Sequence, residues 1–119
     1  MRFFATFIFF LLVVSCNRHA CPSKVEANKQ QFQKHLSEIS SYEEGRRQVL
    51  VDDYREAIDF LSLVTGIDSK ADYSSTFGYR NRASYKKDMR QWKRWYRKNS
   101  CKLTDQYIDS AFKSVRIIK

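Results

Sequence analysis

The sequence predicts a small all-α protein, a bundle of three or four helices that follows an apolar leader. The chain has 119 residues, which allows one domain with a modest core once a leader is subtracted. Apolar residues recur at helical spacing in several separate segments of the chain. Helix-capping residues stand at the ends of these segments. Together these observations favour helices that pack on one another through apolar faces.

The first 16 residues predict export. Arg2 precedes an almost wholly apolar run, Phe3 to Val14. About a dozen apolar residues suit the core of a signal peptide, whereas a membrane span needs about 20. The run ends in Val13-Val14-Ser15-Cys16, which resembles a bacterial lipobox. An ordinary secretory peptide, with Cys16 a plain thiol, is the alternative.

The lipobox resemblance implies a lipoprotein with three parts. Residues 1–15 would be the cleaved lipoprotein signal peptide, and residues 16–22 a lipidated tether that begins at the acylated Cys16. Residues 23–119 would form a single helical domain. The implied location is the bacterial cell envelope, anchored by lipid in the outer membrane and facing the periplasm or the cell surface.

The first predicted helix covers residues 23–40. Ser23 and Glu26 match a capping box at its start. His35 flanks the apolar stripe and is expected to be a partly exposed, neutral histidine. The stripe itself consists of Val25, Phe32, Leu36 and Ile39.

The second predicted helix covers residues 44–65 and has the most regular apolar pattern. Residues 40–45 are interpreted as the break that precedes it, and Gly66 as its C-cap. Its wide stripe favours burial against two neighbours. The stripe comprises Leu50, Tyr54, Ala57, Ile58, Leu61 and Val64.

Acidic residues of the second helix are interpreted as structural or solvated rather than catalytic. Asp53 falls at the edge of the apolar stripe, so we expect it to be partly buried and paired with Arg80 or Arg82, because a buried carboxylate needs a cation or donors. Three further carboxylates lie on the opposite, solvated face: Asp52, Glu56 and Asp59.

Residues 66–83 show no sustained periodicity and predict a long loop, of a length that is often functional in a small domain. Its aromatic residues Tyr73, Phe77 and Tyr79 favour packing against the helices. A third helix is predicted over 84–99, with Ser84 as its cap.

The third predicted helix separates aromatic from basic residues. Trp92, Trp95 and Tyr96 are expected to belong to the core, and Trp95, to one side, is the one of the three most able to stay exposed. A sugar-stacking or membrane-interface platform made of these three side chains is the alternative. Residues 79–102 carry ten basic residues against one acid, Asp88, a net charge of +9. The candidate partner-binding residues are Arg80, Arg82, Lys86, Arg90, Lys93, Arg94, Arg97 and Trp95.

Thr104 and Asp105 predict the start of a fourth helix with an apolar face. Two cysteines besides Cys16 remain, and in an exported chain Cys21 and Cys101 could form a disulfide across a loop of about 80 residues. Two free thiols are the alternative, because spacing alone does not bring the two ends together.

Two motifs on successive helices together resemble an element of exported bacterial proteins. The first is a helix end, Leu63-Val64-Thr65-Gly66, and the second, on the next helix, is Trp92-x-x-Trp95-Tyr96-x-x-Asn99. This element occurs in HEAT-like helical hairpins and in small lipoproteins of unknown function. The resemblance covers residues 50–103. It implies an antiparallel helical pair, the central hairpin of the bundle, with the tryptophans packed inward. It implies no activity and no catalytic residue.

The sequence predicts binding rather than catalysis. The two histidines, His19 and His35, are too few to build a metal or catalytic site. No glycine-rich phosphate loop, Cys-x-x-Cys pair or nucleophile–base pair occurs, so no cofactor or metal is predicted.

The partner expected for the basic face, Lys86 to Lys98, is an acidic protein, an anionic lipid surface or an acidic glycan. Nucleic acid is not expected outside the cytoplasm. The alternative function is an immunity or inhibitor lipoprotein that neutralises an exported toxin or enzyme, and a small hydrolase ranks third. The oligomeric state stays open.

Overall fold

The computed structural model describes residues 21–71 and 78–116. The leader, the tether up to residue 20, the lipidation residue Cys16 and the aromatic residues Tyr73 and Phe77 lie outside the described residues. No helix in the described ranges is both long enough and apolar enough to cross a membrane.

Four α-helices form the domain, and no β-strand occurs in the described ranges. The predicted all-α bundle is therefore confirmed. Short 3-10 turns, Ser23–Val25 and Ser100–Lys102, precede the first helix and follow the third. The helices are α1 (Glu26–Glu44), α2 (Val51–Thr65), α3 (Arg82–Asn99) and α4 (Asp105–Arg116).

The break between the first two helices lies later than predicted. α1 continues to Glu44 because the backbone stays helical until Gly45, which has a left-handed conformation at φ 63° and ends the helix. The Arg46 amide then donates to the carbonyl of Ser41 at 3.0 Å, which closes the helix end. The predicted helix start at residue 44 was wrong. Leu50, predicted to be core, is the extended residue before α2 and is 66% exposed.

The other helix ends follow local capping chemistry. Gly66, at φ 70°, ends α2 as predicted. α3 begins two residues earlier than predicted, because the side chain of Asn81 accepts a hydrogen bond from the Ser84 amide at 2.8 Å. Ser84 is thus not the cap. Thr104 accepts from the Tyr107 amide at 3.2 Å and starts α4.

α1 and α2 are an antiparallel pair, and they make the closest backbone packing in the bundle. The Tyr54 hydroxyl, at the start of α2, donates to Glu43 at the end of α1. Further along α2, Phe60 meets Phe32, near the start of α1, edge to face at a centroid distance of 6.4 Å.

α3 is also antiparallel to α1. Tyr85, near its start, contacts Glu44 at the end of α1, and Trp95, near its end, stacks on Phe32. α2 and α3 therefore point the same way, and the predicted antiparallel hairpin of these two helices was wrong. The physical reason is the long connection, residues 66–81, which is long enough to return along the whole bundle before α3 begins.

α4 packs on α2 in the opposite direction. The Tyr107 hydroxyl donates to the carbonyl of Val64 at 2.8 Å, and Phe112 lies 6.0 Å from Phe60 between ring centroids. The side-chain amide of Asn28 on α1 donates to the Leu103 carbonyl at 2.9 Å. These contacts hold the corner between α3 and α4 on the rest of the bundle.

The core comprises large side chains of three helices and one connecting residue. Trp92 is fully buried, as the stripe on α3 predicts, and burial of such side chains supplies the main favourable term in folding. The core residues are Phe32, Leu36, Ile39, Tyr54, Ala57, Ile58, Phe60, Leu61, Val64, Tyr85, Met89, Trp92 and Leu103.

A disulfide joins Cys21 to Cys101, with their Cα atoms 4.9 Å apart. The bond closes a sequence separation of 80 residues. The bond links the segment before α1 to the turn after α3, so two parts of the chain that are far apart in sequence are held together. The sequence allowed either a disulfide or two free thiols, and the structure contains the disulfide.

Candidate partner-binding surface

The outward side of α3 carries only positive charge. Its one acid, Asp88, is 1% exposed, whereas all of its Lys and Arg residues are exposed. No ion pair joins any of them to a carboxylate in the described residues. Eight cations make up this surface: Arg82, Lys86, Lys87, Arg90, Lys93, Arg94, Arg97 and Lys98.

The structure divides these cations into two rows with different surroundings. Five lie within an arc of about 80° on the helix and line hollows next to α1. We call them the groove row: Arg82, Lys86, Arg90, Lys93 and Arg97. Three lie on the side turned away from α1. We call them the outer row: Lys87, Arg94 and Lys98.

The groove row borders a shallow groove between α1 and α3. Three open hollows of between 220 and 290 Å³ adjoin one another along it, because each is lined by Lys93. The floor is apolar and consists of Leu36, Tyr85, Met89 and Tyr96. The opposite wall consists of the neutral residues Gln33, Ser37 and Ser40 of α1 and of Arg46, which follows α1 and donates to the Ser40 hydroxyl at 2.6 Å.

The end of the groove near the start of α3 contains one carboxylate. Glu44 accepts a hydrogen bond from the Tyr85 hydroxyl at 3.0 Å and an ion pair from Arg46 at 3.2 Å. Each oxygen of Glu44 thus has a donor within the protein. The cations of the groove row make no ion pair with it in the described residues.

Burial raises the pKa of Tyr85 to about 12, and its hydrogen bond to Glu44 and the charges of Glu44 and Glu43 act in the same direction. The folded state thus favours the neutral phenol. The stability gained from this group is fully present below the ordinary value of 10.0 and is lost as pH rises toward 12.

We expect the Tyr85 phenol to ionise late, near pH 12, in an alkaline titration followed by tyrosinate absorbance. Tyr85→Phe should lower the absorbance change near pH 12 by the amount that one tyrosine contributes, and it should reduce the loss of stability between pH 10 and pH 12. Tyr107→Phe is the matched control, because Tyr107 donates to a carbonyl rather than to a carboxylate. An unchanged absorbance change near pH 12 in Tyr85→Phe would contradict the assignment.

Trp95 is half-buried, whereas Trp92 is fully buried. Its ring stacks on Phe32 at a centroid distance of 5.7 Å and lies 6.3 Å from Tyr107. Its free edge lines a separate hollow on the outer side of α3, beside Ile67 and Lys98. Trp95 therefore does not share the groove with the groove row. Arg80 is exposed and lies two residues before α3.

Asp88 is a buried carboxylate that the sequence did not predict. Its Oδ2 accepts hydrogen bonds from the Lys70 amide at 2.8 Å, the Ser69 hydroxyl at 3.1 Å and the Tyr79 hydroxyl at 2.7 Å. These three hydrogen bonds attach both ends of the long connection between α2 and α3 to α3. A signal was present, since Asp88 lies three residues after Tyr85 and four before Trp92, on the inward face.

Two other expectations about ionisable residues were wrong. Asp53 is exposed and not partly buried, because α2 turns that side of its first turn to solvent. His35 is 3% exposed, and its Nδ1 lies 3.0 Å from the Oε2 of buried Glu38. The centroids of the His35 and Phe60 rings are 4.6 Å apart. Phe60 therefore covers His35, although His35 lies at the edge of the apolar stripe of α1.

The described residues contain no group of three or more His, Cys, Asp or Glu side chains that could hold a metal ion. No known protein family, curated protein or solved structure matches the chain. The fold and the surface define its class as a small, disulfide-linked helical domain with one strongly basic helix face.

Proposed function

We propose that this protein is a lipid-anchored envelope protein that binds an acidic partner or anionic surface through the outward face of α3. The observation that carries the proposal is the set of eight exposed cations on one helix, without an ion pair in the described residues. A solvated helix normally mixes charges of both signs. A single sign over the whole exposed face attracts anions across about 8 Å at physiological salt.

The proposed lipid anchor is supported by the lipobox-like end of the apolar leader, Val13 to Cys16. The disulfide holds Cys21 on the folded domain. Four residues separate the proposed acylated Cys16 from Cys21, so the five steps of the chain between their Cα atoms reach about 18 Å at most. A domain tethered this closely stays near the membrane, which raises the local concentration of envelope partners.

The test reverses three charges on α3. In the full chain, Arg90→Glu, Arg94→Glu and Arg97→Glu together should weaken binding to anionic phospholipid vesicles and to polyglutamate by about 100-fold, because each cation contributes about 1 kcal/mol near an anionic surface. Affinity is measured by co-sedimentation for vesicles and by fluorescence anisotropy for polyglutamate. The dependence of affinity on salt should also become weaker.

The matched control reverses the same number of exposed cations outside α3, as Lys24→Glu, Arg47→Glu and Lys113→Glu. Both triple variants change the net charge equally. If the two lose affinity equally, binding follows net charge and not the α3 face. If neither loses affinity, the basic face is only a solvated surface and the proposal fails.

A further inference from the structure

We propose that the groove between α1 and α3 binds an acidic amphipathic helix of a partner protein. This inference rests on the proposed function and names the chemistry of the partner. The groove combines a floor of apolar side chains with a one-sided row of five cations. A partner that fits it must supply apolar groups and carboxylates on adjoining faces.

The apolar floor favours an amphipathic helix over a simple polyanion as the partner. Leu36, Met89 and Tyr85 are 5–6% exposed, so only the edges of their side chains reach the hollows, and Tyr96 beside them is half-buried. A glycan acid or a phosphate head group would pair with the cations and leave these apolar edges in water. Leucine-like side chains of a docking helix would fill the hollows and cover the edges, a small gain from apolar burial that adds to the attraction between charges.

The charges around the groove are asymmetric. The groove row extends from Arg82 to Arg97, about 22 Å along α3 at the helical rise. The opposite wall carries three neutral polar residues of α1, Gln33, Ser37 and Ser40, and one cation, Arg46, which contacts Ser40 and Glu44. The partner should therefore carry carboxylates along the flank that faces α3, over about 15 residues, and mainly uncharged polar residues along the other.

The secondary structure of the partner follows from backbone hydrogen bonding. Both walls of the groove are α-helices, whose backbone groups bond within their own helix. An extended peptide gains its affinity by pairing with an exposed strand edge, which these walls do not offer. A helix satisfies its own backbone groups, so it can lie on this floor without leaving unpaired polar groups.

The test uses the full chain and three probes: an 18-residue acidic amphipathic helical peptide with leucines on one face, a scramble of the same composition, and anionic phospholipid vesicles. Peptide affinity is measured by anisotropy. The helical peptide should bind about tenfold or more tightly than the scramble, because only the helix presents its leucines and carboxylates on adjoining faces. Equal affinities would overturn the inference.

Two charge-reversal variants on the same helix then locate the site. The groove variant is Lys86→Glu, Arg90→Glu and Lys93→Glu, and the matched outer variant is Lys87→Glu, Arg94→Glu and Lys98→Glu. All six residues are exposed, and both variants change the net charge equally. The groove variant should lose about 100-fold in affinity for the helical peptide, and the outer variant only about threefold.

A neutral variant tests the floor independently of charge. Ser37 is exposed on the α1 wall, so Ser37→Trp should fold normally, as checked by circular dichroism, and block the groove. It should weaken helix binding by about tenfold and leave vesicle binding unchanged. Unchanged helix binding in Ser37→Trp would overturn the groove as the site.

The outcomes separate the two proposals. If the groove and outer variants lose affinity equally for peptide and vesicles, the basic face binds anions but the groove is not a helix site. If neither variant loses affinity for any probe, the proposed function fails as well.

Discussion

Replacing both Cys21 and Cys101 by serine should lower the free energy of unfolding by about 4.5 kcal/mol. The bond closes a separation of 80 residues, and the chain-entropy model gives this value for such a loop, because the open unfolded chain gains conformations that the bridged chain lacks. For a domain of this size, the melting temperature should fall by about 20 °C. Urea unfolding followed by tryptophan fluorescence measures the change, since Trp92 is buried in the core.

Reductant should have the same effect on the unmodified chain as the double substitution, and it should have no further effect on the double variant. Cys16→Ser is the matched control, because it removes a cysteine outside this bond and should leave stability unchanged. A double variant as stable as the unmodified chain would show that the bridge does not constrain the unfolded state. Binding by the groove row should persist in any fraction that still folds.

Asp88→Ala should be the most destabilising single substitution of a charged residue, at about 3 kcal/mol. Removal of the carboxylate, which is 1% exposed, leaves three donors, from Ser69, Lys70 and Tyr79, without their acceptor. Hydrogen bonds to a charged acceptor contribute about 1.5 to 3 kcal/mol each, and they are not additive. Asp88→Asn keeps one acceptor oxygen and should lose about half as much.

Asp53→Ala is the matched control for this prediction, since Asp53 is an exposed aspartate. Its stability should change by less than about 0.5 kcal/mol. Limited proteolysis supplies a local measurement, because trypsin can cut after Lys70 and Arg80, at the two ends of the long connection. Cleavage there should be faster in Asp88→Ala than in Asp53→Ala, and equal rates would show that Asp88 does not hold the connection.

The arrangement of α3 has a direct consequence for its function. The inward face ties down the long connection through Asp88 and contributes Trp92 to the core, so the helix is rigidly placed. The outward face is left free of ion pairs within the described residues. A rigid row of cations loses little conformational freedom of the backbone on binding, which favours affinity.

Local chemistry allowed most of the helices to be predicted. The regular stripe from Tyr54 to Val64 and the cap at Gly66 define α2, and both features depend only on neighbours in the chain. The division of α3 into an aromatic and a basic face follows in the same way from helical spacing. Errors arose where two capping signals competed, as between Asn81 and Ser84, because caps differ by small free energies.

Contacts between distant residues could not be predicted from the chain. Gly78, at φ 115°, is needed because a Cβ there would lie 2.8 Å from the Glu43 carboxylate, which also accepts from the Tyr79 amide and the Tyr54 hydroxyl. No local pattern links residues 43, 54 and 79. The parallel direction of α2 and α3 belongs to the same category, since it depends on which side of α1 each helix packs against and not on any local pattern.

The sequence by itself determined the all-α class, the basic face of α3 and the burial of Trp92, because helical periodicity sorts side chains by face before any tertiary contact forms. Only the tertiary structure decided that Cys21 meets Cys101, that Asp88 rather than Asp53 is the buried aspartate, and that five of the eight cations of α3 border a groove. These features depend on which faces of separate helices come together. That choice is made by packing among residues far apart in the chain.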